Sequence, residues 1–216
     1  MLLIATDEAG YGPKLGPLVI VGTAWQIPDD CSDSESLGQL FAPLREPCEC
    51  EAGPIVVDDS KAVFKPSQGL DVLHAVVSAA IHWTGDSTQT LVDWLTNIAP
   101  SDAEAIVGTR WFQRIDDRRF LNGTEIRGPI EQWTAGELAL SKIRARVISA
   151  RDFNNRCADG CNKADLLSEC TIGLVRSLVE SCEFEPGKVV VFCDRHGGRR
   201  YYGCLLYTSP SPRDWI

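Results

Sequence analysis

Two stretches, near the two ends of the chain, set acidic residues where chemistry could use them. In the first, the apolar run Leu2-Leu3-Ile4-Ala5-Thr6 leads directly into Asp7 and Glu8, and Gly10, Gly12, Pro13, Gly16 and Pro17 follow. In the second, Lys188 to Cys193, KVVVFC, runs into Asp194, with Arg195, His196, Gly197, Gly198 and Arg199 just beyond. Carboxylates gathered at one point suit a hard divalent cation such as Mg²⁺ or Mn²⁺. Arginine beside them can clamp a phosphate, and glycine lets a backbone come close to a ligand. His196 reads either as a proton-transfer group or as a polar turn residue. Taken alone, Asp7-Glu8 also reads as an acidic turn in solvent, since charged side chains are mostly exposed.

These residues need strands to hold them. Leu2 to Thr6 reads as a buried strand, and Leu18 to Trp25 as a second one. Side chains alternate along a strand, so Asp7 and Glu8 reach one ion only if the strand ends or kinks near Asp7. Gly10 and Gly12 allow that break. The run ending at Asp194 is a third buried strand, and in open α/β folds sites form outside the carboxyl ends of strands. Between these points, Asp29 to Gly53 is a surface excursion with one helical turn around Leu37 to Leu44. Leu70, Leu73, Val76, Val77, Ala80 and Ile81 predict an amphipathic helix over Gln68 to Trp83. A short helix is expected over Thr88 to Ile98, within a stretch, Asp86 to Gly136, that reads as an insertion anchored by Trp94, Trp111 and Trp133. Arg144 to Ser149 alternates like a half-buried strand. Leu167, Cys170, Thr171, Leu174, Val175 and Leu178 form a helical stripe from Ala164 onward.

Composition narrows the classes. The chain has 216 residues, 44% of them hydrophobic, enough for one domain with a sizeable core. Its formal net charge is -9, whereas a free-standing nucleic-acid binder is more often basic. A local basic cleft with bound metal remains compatible with that balance. Nine cysteines at irregular spacing, without a visible secretory signal, read as reduced thiols of a cytoplasmic protein. Neither Cys48-x-Cys50 nor Cys157-x3-Cys161 has the paired spacing of a structural zinc site. No apolar run is long enough to span a membrane. The loop after Glu8 lacks the G-K-[ST] ending of a P-loop, which argues against a nucleotide-handling kinase.

The string Asp7-Glu8-Ala9-Gly10-Tyr11-Gly12-Pro13, followed by Leu15-Gly16-Pro17-Leu18-Val19, resembles the N-terminal signature of type 2 ribonucleases H, the ribonuclease HII and HIII group. Asp59-Ser60-Lys61 resembles that family's DSK element at the entry to its first helix, and Ala150 to Asn154 its acidic helix start. The resemblance implies a ribonuclease H-like fold: a mixed sheet flanked by helices, incomplete at the C-terminus here. It implies a metal-dependent endonuclease that hydrolyses the RNA strand of RNA-DNA hybrids or cuts ribonucleotide-containing DNA. Asp7, Glu8 and Asp194 would be the catalytic, metal-binding acids of a two-metal site using Mg²⁺ or Mn²⁺. Gly10, Tyr11, Gly12, Ser60, Lys61, Arg195 and Arg199 would contact the substrate. The family usually has arginine or lysine where Tyr11 stands, and a DG turn where Arg195-His196 precede the glycines. The alternative is a non-catalytic nucleic-acid-binding protein of the same fold, which Tyr11 and the acidic balance favour.

Leu205 to Asp214, LLYTSPSPRD, resembles a translated sequencing-adapter string, so residues 205–216 read as a non-native tail and residues 1–204 as the domain, with its insertion at about 86–136. The family's fourth metal-binding aspartate would fall beyond Cys204. The expectation is therefore a monomer with reduced or absent cleavage, because three acids position two ions poorly.

Overall fold

The computed structural model describes residues 1–9, 16–31, 33–51, 53–64, 66, 69–110, 119–185 and 187–193. Four strands build one sheet: β1 Leu2–Ala9, β2 Leu18–Gln26, β3 Ala139–Ile148 and β4 Val189–Cys193. Their order is β3-β2-β1-β4. Parallel pairing of β1 with β4 makes this an open mixed sheet, and helices flank it, so the fold is α/β. The helices are α1 Ser34–Leu40, α2 Ala42–Arg45, α3 Ser60–Val63, α4 Asp71–Trp83, α5 Leu91–Ile98, α6 Ala103–Gly108, α7 Arg127–Trp133, α8 Ala150–Ala158 and α9 Lys163–Ser181. The chain divides into two compact units. One comprises Met1–Ala24, Leu95–Arg110 and Lys142–Ile216; the other comprises Trp25–Trp94 and Trp111–Ser141.

In the first unit, strand periodicity meets helix periodicity. Burial along β2 alternates, and its inward residues Leu18 and Ile20 pack with Ile148 against Leu166, Leu167, Cys170 and Leu174 of α9. Leu2, Ile4 and Ala24 pack on Leu178 and Val179 further along the same helix. Each such aliphatic side chain contributes about 1.5–3 kcal/mol when fully buried. Asn162 caps the start of α9 by accepting the Asp165 N–H at 2.9 Å. The helix lies so close to β2 that a Cβ on Gly22 would stand 2.8 Å from Leu178 Cδ1.

β3 is an edge strand, and edges expose unpaired N–H groups that recruit other chains. Here one of them is covered from within the unit. Asp102 Oδ2 accepts the Val147 N–H at 2.7 Å. The same carboxylate holds Arg146 through both oxygens, at 2.9 Å from Nε and 3.1 Å from Nη2. That bond keeps the Arg146 guanidinium charged to still higher pH than an ordinary arginine. Arg144 Nη1 adds a bond to the Asn97 carbonyl at 3.1 Å. Two arginines at i and i+2 on one strand thus fasten the segment 95–110.

In the second unit the aromatic side chains form a chain of edge and tilted contacts. Trp25 meets Phe41 at 5.2 Å and Trp83 at 5.4 Å, and Trp83 meets Trp133 at 6.0 Å between centroids. Trp133 is buried, as an anchor must be. Cys48 and Ile55 form an isolated antiparallel bridge. The helix α7 approaches that loop so closely that a Cβ on Gly128 would stand 2.5 Å from the Glu49 carbonyl oxygen.

Several elements differ from what the sequence predicts. The region of Leu37 to Leu44 forms two short helices, α1 and α2, rather than one turn; Asp33 caps α1 by accepting the Glu35 and Ser36 N–H groups. The helix α5 begins at Leu91 rather than Thr88 because Thr90 serves as its cap, accepting the Asp93 N–H at 3.2 Å and donating to Asp93 Oδ2 at 2.7 Å. β3 begins at Ala139, five residues before Arg144. Within Asp86 to Gly136 the chain makes α5, a 3-10 turn over Pro100–Asp102, α6 and α7, and these divide between both units.

Candidate metal and nucleic-acid site

The central strand β1 carries the first acids. It runs unbroken from Leu2 to Ala9, so Asp7 and Glu8 are successive strand residues. No break falls between Asp7 and Glu8: the strand ends just after them, at Ala9, and its pairing with β4 is described as far as Thr6. Alternation then decides where each acid points. Leu2 and Ile4 face α9, and Thr6 Cγ2 lies beside the Gly22 Cβ position together with Leu178 and Leu174. Glu8 continues this α9-facing row and is half-buried, whereas Asp7 belongs to the opposite row and is exposed. Asp7 Oδ1 accepts the Glu8 N–H at 2.8 Å, which pins the carboxylate against its own strand.

The last described strand, β4, lies beside β1. β4 pairs with β1 in parallel, Leu2 opposite Val189 and Thr6 opposite Cys193. Both strands therefore end on the same side of the sheet, the side where parallel sheets carry their sites. Asp194 is the next residue after Cys193, as Asp7 is the next after Thr6. Asp194, Arg195, His196 and Arg199 lie outside the described residues, as do Gly10, Tyr11 and Gly12. β4 ends in a row of exposed residues, Val191, Phe192 and Cys193.

Ser60 and Lys61 open α3, whose first turn is closed by the Ala62 and Val63 N–H groups donating to the Asp59 carbonyl at 2.8 and 3.0 Å. Their side chains lie outside the described part, and they belong to the second unit. Of the expected site residues, Asp7 and Glu8 alone are placed with their side chains, on one strand but on opposite rows.

Among the described residues, no group of three or more His, Cys, Asp or Glu side chains could hold a metal ion. Cys48 and Cys170 are free thiols and both are buried, Cys170 within the apolar cluster under α9. Burial pushes both thiols up from the ordinary value, only partly countered at Cys170 by the nearby Arg146. These are structural thiols, with their thiolate forms suppressed. Asp102, which the sequence did not single out, is the carboxylate with the most strongly built surroundings; its partners lie some 44 residues away in sequence, and no local signal marks it. No helix among the described residues is long and apolar enough to cross a membrane.

What the described residues define is an α/β protein whose strand β1, paired in parallel with β4, carries Asp7 and Glu8 toward its carboxyl end. No protein-family model, curated protein or solved structure matches this chain.

Proposed function

We propose that the chain is a metal-dependent nuclease of ribonuclease H-like fold, acting on the RNA strand of RNA-DNA hybrids or at ribonucleotides in DNA. One observation carries the reading: the register of β1 and β4 sets Thr6 against Cys193, and each of these paired residues is followed directly by an aspartate. Two aspartates next in line on neighbouring parallel strands are a natural grip for one cation at a sheet end. Asp7 fits the role. It is exposed, and its Oδ1 engages only a neighbouring N–H, a bond compatible with a ligand on the other oxygen. Asp7 and Asp194 would hold Mg²⁺ or Mn²⁺, which supplies charge to activate water and to stabilise a leaving 3′ oxygen. Arg195 and Arg199, in the residues after Asp194, would hold substrate phosphates. Gly10 and Gly12 would let the loop between β1 and β2 approach the scissile strand.

The test is cleavage of a duplex containing one ribonucleotide, with protein in excess so that slow turnover is visible, in Mg²⁺ and in Mn²⁺. The expected outcome is cutting that EDTA abolishes and that Asp7→Asn lowers about 100-fold or more, the scale of several kcal/mol of lost charge stabilisation. No cutting with either ion, or cutting indifferent to EDTA and Asp7→Asn, overturns the nuclease reading. Hybrid binding without cutting would instead mark a non-catalytic member of the same fold.

A further inference from the structure

One short turn of the second unit carries chemistry of its own. Asn122-Gly123 is the only Asn-Gly step in the chain, and both residues are exposed. The side-chain carbon of an asparagine is open to attack by the backbone nitrogen of the next residue, least hindered when that residue is glycine and has no Cβ. The rate depends on whether the carbon is held over the nitrogen and polarised.

This turn does both. Asn122 Oδ1 accepts the Thr124 N–H at 2.9 Å and the Glu125 N–H at 3.3 Å. Both donors lie beyond Gly123, so the carboxamide folds back across the Gly123 amide. They also point at the oxygen on which negative charge develops during attack, as the donors of an oxyanion hole do. Among the described residues nothing accepts the Gly123 N–H, so that nitrogen is available. The frame of the turn is fixed. The Leu121 N–H donates to Ser78 Oγ at 3.1 Å, and the Leu121 carbonyl accepts from His82 Nε2 at 3.2 Å, both on α4. The Asn122 N–H donates to Glu125 Oε2 at 2.7 Å, and the Glu125 carbonyl accepts the Glu51 N–H at 3.2 Å.

We propose that Asn122-Gly123 is a self-modifying site, at which the folded chain converts the asparagine amide to a succinimide and then to isoaspartate and aspartate. The Gly123 nitrogen gives its proton to solvent hydroxide and bonds to Asn122 Cγ; the Cγ–Nδ2 bond breaks, and ammonia leaves. Water then opens the ring at either carbonyl, and nothing is oxidised or reduced. Opening at Cγ restores the main chain and leaves an aspartate that keeps the capping oxygen. Opening at the main-chain carbonyl leaves an isoaspartate, with one more methylene in the main chain just before α7. Either product adds a negative charge beside Glu125. The conversion needs no metal and no bound substrate, so it stands or falls apart from the nuclease reading.

The whole chain is kept folded at mildly alkaline pH, sampled over days, and mapped by peptide mass spectrometry; a second sample is kept unfolded in urea at the same pH. The expected result is an amide-to-acid mass change at Asn122 that resolves into isoaspartate and aspartate forms. Its rate in the folded chain should be within about threefold of the unfolded rate or above it. Gly123→Ala tests the route. Gly123 lies outside the left-handed region, and a Cβ there meets nothing nearer than the His82 ring at 3.9 Å, so the fold accepts alanine. A thermal melt confirms this, and conversion should fall at least fivefold. A folded chain that converts more than threefold slower than the unfolded one, or not at all, would show that the turn protects Asn122 and overturn the proposal. Aspartate without isoaspartate, or a smaller fall in Gly123→Ala, would overturn the succinimide route and the proposal with it.

Discussion

At the residue scale, the least expected feature is how much work single small or acidic side chains do away from the candidate site. Gly22 and Gly128 each occupy a place that a methyl group would fill badly. The two differ in what the methyl would meet. At Gly22 it meets the end of the Leu178 side chain at 2.8 Å, which can shift; at Gly128 it meets the Glu49 backbone carbonyl at 2.5 Å, which cannot shift without moving the loop. Gly173, inside α9, has nothing within 4 Å of its Cβ position. Alanine at these three positions should therefore give a graded series in urea melts. Gly128→Ala is expected to destabilise by about 2–3 kcal/mol and Gly22→Ala by about 1–2, as overpacking does. Gly173→Ala is expected to stabilise by about 0.5–1 kcal/mol, because alanine lowers the entropy cost of a helix interior. A Gly22→Ala loss as large as that at Gly128 would mean that α9 cannot yield at Leu178.

At the element scale, the first and last strands were readable as strands because each is an apolar run bounded by acids and glycines, and the structure places β1 and β4 where those runs lie. β4, however, reads as buried in the sequence but is half-buried at Val189 and Val190 and exposed from Val191 to Cys193, because it stands at the edge of the described sheet. The long helix α9 was readable from its stripe, since Leu167, Cys170, Leu174 and Leu178 recur at helical spacing and all are buried. The continuation of β1 through Asp7 and Glu8 was not readable, because charge suggests an end. Nor was the pairing of β1 with β4, a contact between segments more than 180 residues apart that no local pattern encodes. The short helices α6 and α7 were missed because Gly108 and Pro129 within them argue against helix locally. A separation of 44 residues likewise hid the edge cap that Asp102 places on β3. Asp102→Ala removes the partner of a half-buried guanidinium and leaves the Val147 N–H unsatisfied. The expected cost is about 2–4 kcal/mol, below that of a fully buried pair because Arg146 keeps part of its exposure. Adding Arg146→Leu should recover part of that loss, since an apolar side chain needs no counter-charge. Equal stabilities of wild type and Asp102→Ala would show that water replaces the carboxylate at the edge.

On the scale of the whole molecule, each compact unit buries one thiol among its described residues, Cys170 in the first and Cys48 in the second. In both, burial raises the folded-state pKa above the ordinary value of 9.0. The sign of the linkage follows from that direction. Below the pKa of the unfolded chain the thiols are protonated in both states, and their burial contributes its full stability. As pH rises past it, the unfolded thiols ionise first, so the unfolded state gains and stability falls until the folded thiols ionise too. Urea melts between pH 7 and 10 should thus show a decline setting in near pH 9 that is shallower in Cys48→Ala/Cys170→Ala, although the variant starts lower because two side chains have been cut back. Lysines and tyrosines titrate in the same range, so the quantity that matters is the difference in slope between the two proteins. Identical slopes would mean that these thiols ionise alike in the folded and unfolded chain, and so that water reaches both of them.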